Sequence, residues 1–316
     1  MIGFETGTAR KTHDGFHPIK VTIKRPDAEV RTRSGYYDAS AESVRKSNKK
    51  PPPTAVDATV EGYLPQPDVP LFATVAPFAG MDGHAVLAVS LGVSGAPGHP
   101  PISSSTSNQS ETIDVLARAI DPEGKSFGVR RLALRMMPAP GDVRYEVFPR
   151  LSTPPGKYEV RLGMRSTDGR SGSVYVGTDV PDFAHAPLSM SGVVMSATPG
   201  TISGPRDAFT DILPVVPTAR RTFAARNRVT AFVRMYQGGS RPLIPVVRTT
   251  RVVNQSDDRI SEETARIETA SFGSARSADY RFSVPVDSLP PGAYLLTIEC
   301  SAGTLTVRRD VRFRVQ

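Results

Sequence analysis

Hydrophobic and polar residues alternate along much of this chain with the two-residue period of a half-buried strand. Ile19, Val21 and Ile23 alternate with Lys20, Thr22 and Lys24, and Val30 and Thr32 with Arg31 and Arg33. Pro26-Asp27 supplies a turn between them, so residues 1–40 predict a hairpin too small to bury a core alone. From residue 69 the pattern resumes. Strands are predicted over 71–76, 85–93, 112–120, 129–136, 143–151, 158–165 and 173–180, the complement of one sandwich. A second set is predicted over 189–196, 228–237, 244–253, 280–286, 294–300 and 304–315.

The connections differ in kind. Residues 41–68 read as a linker, basic at Lys46, Lys49 and Lys50 and then stiffened by Pro51-Pro52-Pro53. Thr54 is placed to cap a short helix through Val56, Val60 and Tyr63. Residues 95–110 read as an exposed, mobile polar loop, and Asp121-Pro122-Glu123-Gly124 as a turn. The joint at 181–187 is short, which predicts a restrained, extended arrangement of its neighbours. The expected fold is mainly β: two tandem immunoglobulin/fibronectin-III-like β-sandwiches over 69–183 and 187–316, after a short β-hairpin and the Pro-rich linker.

One motif recurs. Leu151-Ser152-Thr153-Pro154-Pro155-Gly156-Lys157-Tyr158 returns, 136 residues on, as Asp287-Ser288-Leu289-Pro290-Pro291-Gly292-Ala293-Tyr294. Each copy leads into an alternating strand. The prolines fix φ and stop the preceding strand pairing further, while the glycine permits a positive φ at the corner. The tyrosine buries its ring and its hydroxyl bonds backbone nearby, by analogy with a tyrosine corner. Pro155, Gly156 and Tyr158, with Pro291, Gly292 and Tyr294, are therefore predicted to be structural corners.

Composition narrows the chemistry. The 316 residues carry one cysteine, so neither a disulfide within the chain nor a Cys-based zinc cluster is available. Cys300 shares the apolar parity of its strand and reads as a buried thiol. Apolar residues make up 39% and charged ones 22%, which excludes broad disorder. No run approaches the ~18 apolar residues of a membrane span. The net charge is +8, but residues 1–50 hold 11 basic against 6 acidic residues, leaving the rest nearly balanced. Lys20, Lys24, Arg31, Arg33, Lys49 and Lys50 are thus the candidate anion contacts. No nucleic-acid-binding motif accompanies them, and a solvated strand face is the plainer reading.

Catalytic patterns are missing. His13 and His17 flank Gly15 in an expected turn rather than a helix, there is no Gly-x-Ser-x-Gly elbow, and no Gly-rich phosphate loop joins a strand to a helix. Asp257-Asp258 reads as a solvated hairpin tip. The absence of tryptophan weighs against a sugar-stacking platform. No catalytic, cofactor or metal residue is assigned.

The N-terminal residues carry a resemblance. Ile2-Gly3-Phe4, then Asp14-Gly15-Phe16-His17-Pro18-Ile19-Lys20-Val21-Thr22-Ile23-Lys24-Arg25-Pro26, then Val30-Arg31-Thr32-Arg33-Ser34-Gly35-Tyr36-Tyr37, resemble the closing strands of the von Willebrand factor A-related domain of Acidobacteria. The match covers residues 1–40, with looser similarity beyond. The resemblance implies that residues 1–40 are the remnant of such a domain and that the chain is the C-terminal part of a longer secreted or envelope protein. No signal peptide pattern opens this chain. That family's metal site uses Asp-x-Ser-x-Ser; no position here fits it, so no ligand is carried over. The function expected is a non-catalytic protein-interaction or spacer module, with no cofactor, a protein partner, no membrane span and nucleic acid disfavoured. The alternatives are a carbohydrate-binding or hydrolase-accessory sandwich, and anionic-polymer binding through the basic N-terminal strap.

Overall fold

A computed structural model describes residues 16–18, 35–37, 54–94, 110–137 and 143–316. Strand β1 (Phe16–Pro18) pairs antiparallel with β2 (Gly35–Tyr37), Phe16 opposite Tyr37. The candidate anion contacts Lys20, Lys24, Arg31, Arg33, Lys49 and Lys50 lie outside the described residues, as does most of the loop expected over 95–110.

The first sandwich is built from β3 (Leu71–Ala79), β4 (Ala85–Ser94), β5 (Glu111–Ile120), β6 (Ser126–Met136), β7 (Val143–Val147), β8 (Arg150–Thr153), β9 (Gly156–Ser166) and β10 (Ser171–Val180). β3 lies on one edge of β4, and β7 and β8 follow each other along the opposite edge. The facing sheet has the order β10-β9-β5-β6. The single strand expected over 143–151 is therefore two. Phe148-Pro149 interrupts it, since Pro149 has no N–H to give to a ladder. Alternate residues such as Leu87, Val115, Leu162 and Met164 point inward and are fully buried.

The end of the expected linker is not a free tether. Residues 54–68 lie across the outer face of the second sheet, where Val60 of the single-turn helix α1 (Ala58–Glu61), with Val56 just before it, covers Leu116. Gly163 of β9 lies under Thr59 and leaves no room for a Cβ. Thr54 does not cap the helix. Its amide and hydroxyl both donate to the Asp57 carboxylate, at 2.9 and 2.5 Å, and Arg131 adds a bond at 2.5 Å. Burial alone would raise the Asp57 carboxyl; the bonds from Thr54 and Arg131 outweigh it and hold the group below the ordinary aspartate range.

The second sandwich comprises β11 (Ser189–Met190), β12 (Val194–Thr198), β13 (Ser203–Gly204), β14 (Thr222–Phe223), β15 (Arg228–Tyr236), β16 (Val246–Asn254), β17 (Arg259–Ile267), β18 (Ser277–Val284), β19 (Gly292–Ala302) and β20 (Leu305–Val315). β11 and β12 share one edge of β15, and β18 takes the other. The facing sheet has the order β14-β20-β19-β16-β17. The edge strand β17, Arg-Ile-Ser-Glu-Glu-Thr-Ala-Arg-Ile, escaped the hydrophobic pattern because most of it is exposed and only its ladder with β16 makes it a strand.

Both sandwiches divide their strands in the same way. The early strands and the one before the Pro-Pro-Gly corner form one sheet, and the middle and final strands form the other. This is a fibronectin-III-like arrangement.

The two sandwiches do not extend end to end from a short joint. They pack through the outer faces of β3–β4 and β12–β15. Ala76, Phe78, Val86, Ala88 and Phe148 of the first bury against Val194 and Phe232 of the second. The connection between β13 and β14 fills the remaining space with Phe209, Ile212 and Leu213. Phe78 stacks on Phe232 with ring centroids 6.0 Å apart and planes 14° apart.

Candidate functional site

Both predicted corners sit between the sheets, immediately before β9 and β19. The Tyr158 hydroxyl donates to the Pro154 carbonyl at 3.0 Å, and the Tyr294 hydroxyl to the Pro290 carbonyl at 2.7 Å. Pro155 and Pro291 lie between each donor and its acceptor. Each ring is buried, Tyr158 edge-on to Phe127 and Tyr294 stacked on Phe313. The copies differ in one respect. Gly156 has φ +150°, whereas Gly292 has no positive φ, so the conformational demand expected of the glycine holds at the first corner only. These groups brace the fold.

Cys300 is fully buried, and burial pushes its thiol up to about 12, with Arg248 acting against the rise. The His185 ring bonds Asp182 at 3.0 Å on the exposed surface. Asp257-Asp258 sits in the turn between β16 and β17, with the Asp258 amide donating to the Asn254 side chain at 2.9 Å. Among the described residues no three His, Cys, Asp or Glu side chains gather as a metal set would. No helix there is long and apolar enough to cross a membrane.

The most specific polar construction in the chain lies between the sandwiches. Glu146 on β7 is buried and reaches across to the second sandwich. Its Oε1 accepts the Ala219 amide at 2.6 Å and the Thr218 hydroxyl at 2.9 Å. Burial raises its pKa above the ordinary glutamate range, with the Ala219 and Thr218 bonds and the nearby Arg220 and Arg221 opposing the rise. Beside it β13 lies parallel to β7, Ser203 opposite Glu146, so a segment of the second unit extends the first unit's sheet.

At the other end of the junction the Ala79 amide donates to the Tyr236 hydroxyl at 3.1 Å, and Phe183 packs on the Tyr236 ring at 4.7 Å. A cavity of about 390 Å³ opens there, lined by His84, Arg234, Tyr236 and Arg276. Arg276 already donates to the Gln237 and Arg241 carbonyls, both at 2.7 Å, and Arg234 is paired with Asp279. The Arg234 and Arg276 contacts lie within the second sandwich, and the Tyr236 hydroxyl is what bonds across the junction.

Sequence reasoning passed over Glu146 and the whole connection from 199 to 221. One signal was present in β4. Its first nine residues, Ala-Val-Leu-Ala-Val-Ser-Leu-Gly-Val, are buried without alternation, and an apolar run of this kind marks a strand covered on both faces.

Compared with known proteins, the chain matches no protein-family model and no curated protein. Solved structures show a weak likeness to it. One is dimeric latent PorU from Porphyromonas gingivalis, at 12% identity and TM-score 0.27, covering 84% of this chain and 21% of that one. A second is a two-fibronectin-type-III segment from chicken tenascin, at 9% identity and TM-score 0.19, covering 76% of this chain and 97% of that one. A third is a glycosyl hydrolase family 2 member from Bacteroides cellulosilyticus, at 9% and 0.28, covering 73% and 26%. The chain thus spans about a fifth of PorU and a quarter of the hydrolase. At these values the likeness carries no argument, and the fold class rests on the strand order. The chain is a protein of fibronectin-III-like β-sandwiches.

Proposed function

We propose that this chain is a non-catalytic spacer and interaction module, the C-terminal region of an exported von Willebrand factor A-related protein. In this reading its two sandwiches form one rigid body that holds its ends at a fixed distance and presents loops and strand edges to another protein. The observation that carries it is the interface. An apolar cluster, a buried carboxylate bonded across the gap and a strand shared with the neighbouring sheet resist hinge motion, which is the default for chains joined by a short linker alone. The resemblance of residues 2–37 is what supports the placement in that family.

The test is a distance measurement. Nitroxides at Glu123→Cys and Ser256→Cys, both on exposed turns of different sandwiches, leave the buried Cys300 unlabelled. Double electron–electron resonance is expected to give one narrow distance distribution. A broad or bimodal one would refute the rigid spacer.

A further inference from the structure

Arginines on the outer face of the second sandwich fall into two groups. Toward the middle and the β17 edge they are neutralised: Arg308 by Asp310 at 3.0 Å, Arg251 by Glu262 at 2.7 Å, Arg259 by Glu262 at 3.1 Å and Arg266 by Glu268 at 2.8 Å. At the β14 end they are not. Arg312 and Arg314 of β20 line one groove of about 580 Å³, with Arg221 before β14 at its edge; neither Arg312 nor Arg314 has a carboxylate within ion-pair distance among the described residues, whereas Arg221 is largely buried and feels the Glu146 charge. The register builds this cluster. β14 runs parallel to β20 with Thr222 opposite Arg314, and the Arg314 amide donates to the Arg221 carbonyl at 2.7 Å. Arg221 gives one guanidinium nitrogen to the Thr218 and Arg220 carbonyls, at 3.1 and 2.7 Å.

We propose that this groove binds an acidic peptide segment of a partner protein. The Arg312 and Arg314 guanidiniums, two residues apart and both exposed on one strand, repel one another, and a carboxylate shared between them relieves that repulsion through charge-assisted, bidentate bonds. Val253, Ala293 and Leu295 give the groove apolar surface, which suits a peptide whose acidic residues alternate with uncharged ones. None of the basic residues 20–50 is assigned to this site, and it does not depend on whether the two sandwiches move as one body.

The experiment uses the full chain and three probes: a fluorescein-labelled peptide of alternating Glu and Ala, its Gln-for-Glu counterpart, and a heparin hexasaccharide. The glutamate peptide is expected to bind at least tenfold more tightly than the glutamine one, with an affinity that falls roughly tenfold between about 50 and 500 mM salt. The R312A/R314A variant should weaken it about tenfold or more at an unchanged melting temperature, since both side chains are exposed. R226A/R228A removes the same charge from exposed positions outside the groove and should bind as the parent does. Equal loss in R226A/R228A or in K49S/K50S, no loss in R312A/R314A, no preference for the glutamate peptide, or tighter binding of the hexasaccharide would each overturn the proposal.

Discussion

Phe232→Ala tests whether the outer-face interface couples the two sandwiches. Phe232 is fully buried, yet it is not part of the second sandwich's own core. It points from β15 into the cluster shared with Phe78, Val86 and Phe148. Removing a buried phenylalanine ring costs about 3–5 kcal/mol, of which ~0.5–1.5 belongs to the stacked pair with Phe78. For units of this size ~1 kcal/mol moves the melting temperature by roughly 2–4 °C, so the drop should be about 6–20 °C. Because the loss falls on the contact rather than on either core, it should also separate the unfolding of the two units. Scanning calorimetry should show one transition in the parent and two in the variant. A double-mutant cycle with Phe78→Ala should return a coupling of about 0.5–1.5 kcal/mol. A single transition displaced by less than about 2 °C, or a cycle with no coupling, would refute the argument.

Three further outcomes are expected. Tyr158→Phe and Tyr294→Phe each delete one hydroxyl-to-carbonyl bond while keeping the packed ring. Urea unfolding should show a loss of about 0.5–1.5 kcal/mol in each, and losses beyond ~3 would mean the hydroxyls do something else. Glu146 has a raised folded pKa, so its contribution to stability is fully present below the ordinary glutamate value of about 4.3 and declines as pH rises through the folded value. Glu146→Gln keeps an oxygen for Ala219 and Thr218 and removes the titration, so its stability should vary less than the parent's from about pH 4.3 upward; parallel curves would count against the assignment. The Cys300 thiol, raised to about 12 by burial, should ignore a thiol-specific disulfide reagent in the native protein and react on unfolding; rapid native labelling would show the site opens.

What could be read from the sequence is what adjacent positions decide. Alternation at i and i+2 locates most strands and their inward residues, because pleating alone sends neighbours to opposite faces. The corner is equally local, since Tyr158 bonds a carbonyl four residues away, and its recurrence at Tyr294 gives the second copy. The parity of Cys300 predicts a buried thiol for the same reason, and the thiol is buried. Where pairing rather than pattern makes the element, the reading failed: β17 is mostly exposed and owes its strand to β16.

Only the tertiary structure decides the rest. Glu146 meets Thr218 across 72 positions, and Ala79 meets Tyr236 across 157, with no local signal at either end. An outward-facing Phe232 becomes core solely because another sandwich covers it. Arg308 and Arg312 both stand two residues from Asp310 on one strand, yet only Arg308 pairs with it, and Arg312 is left facing an open groove. Burial and charge compensation are properties of the assembled surfaces, so local pattern determined the strands and the corners, and the packed fold determined which faces meet and which charges remain uncompensated.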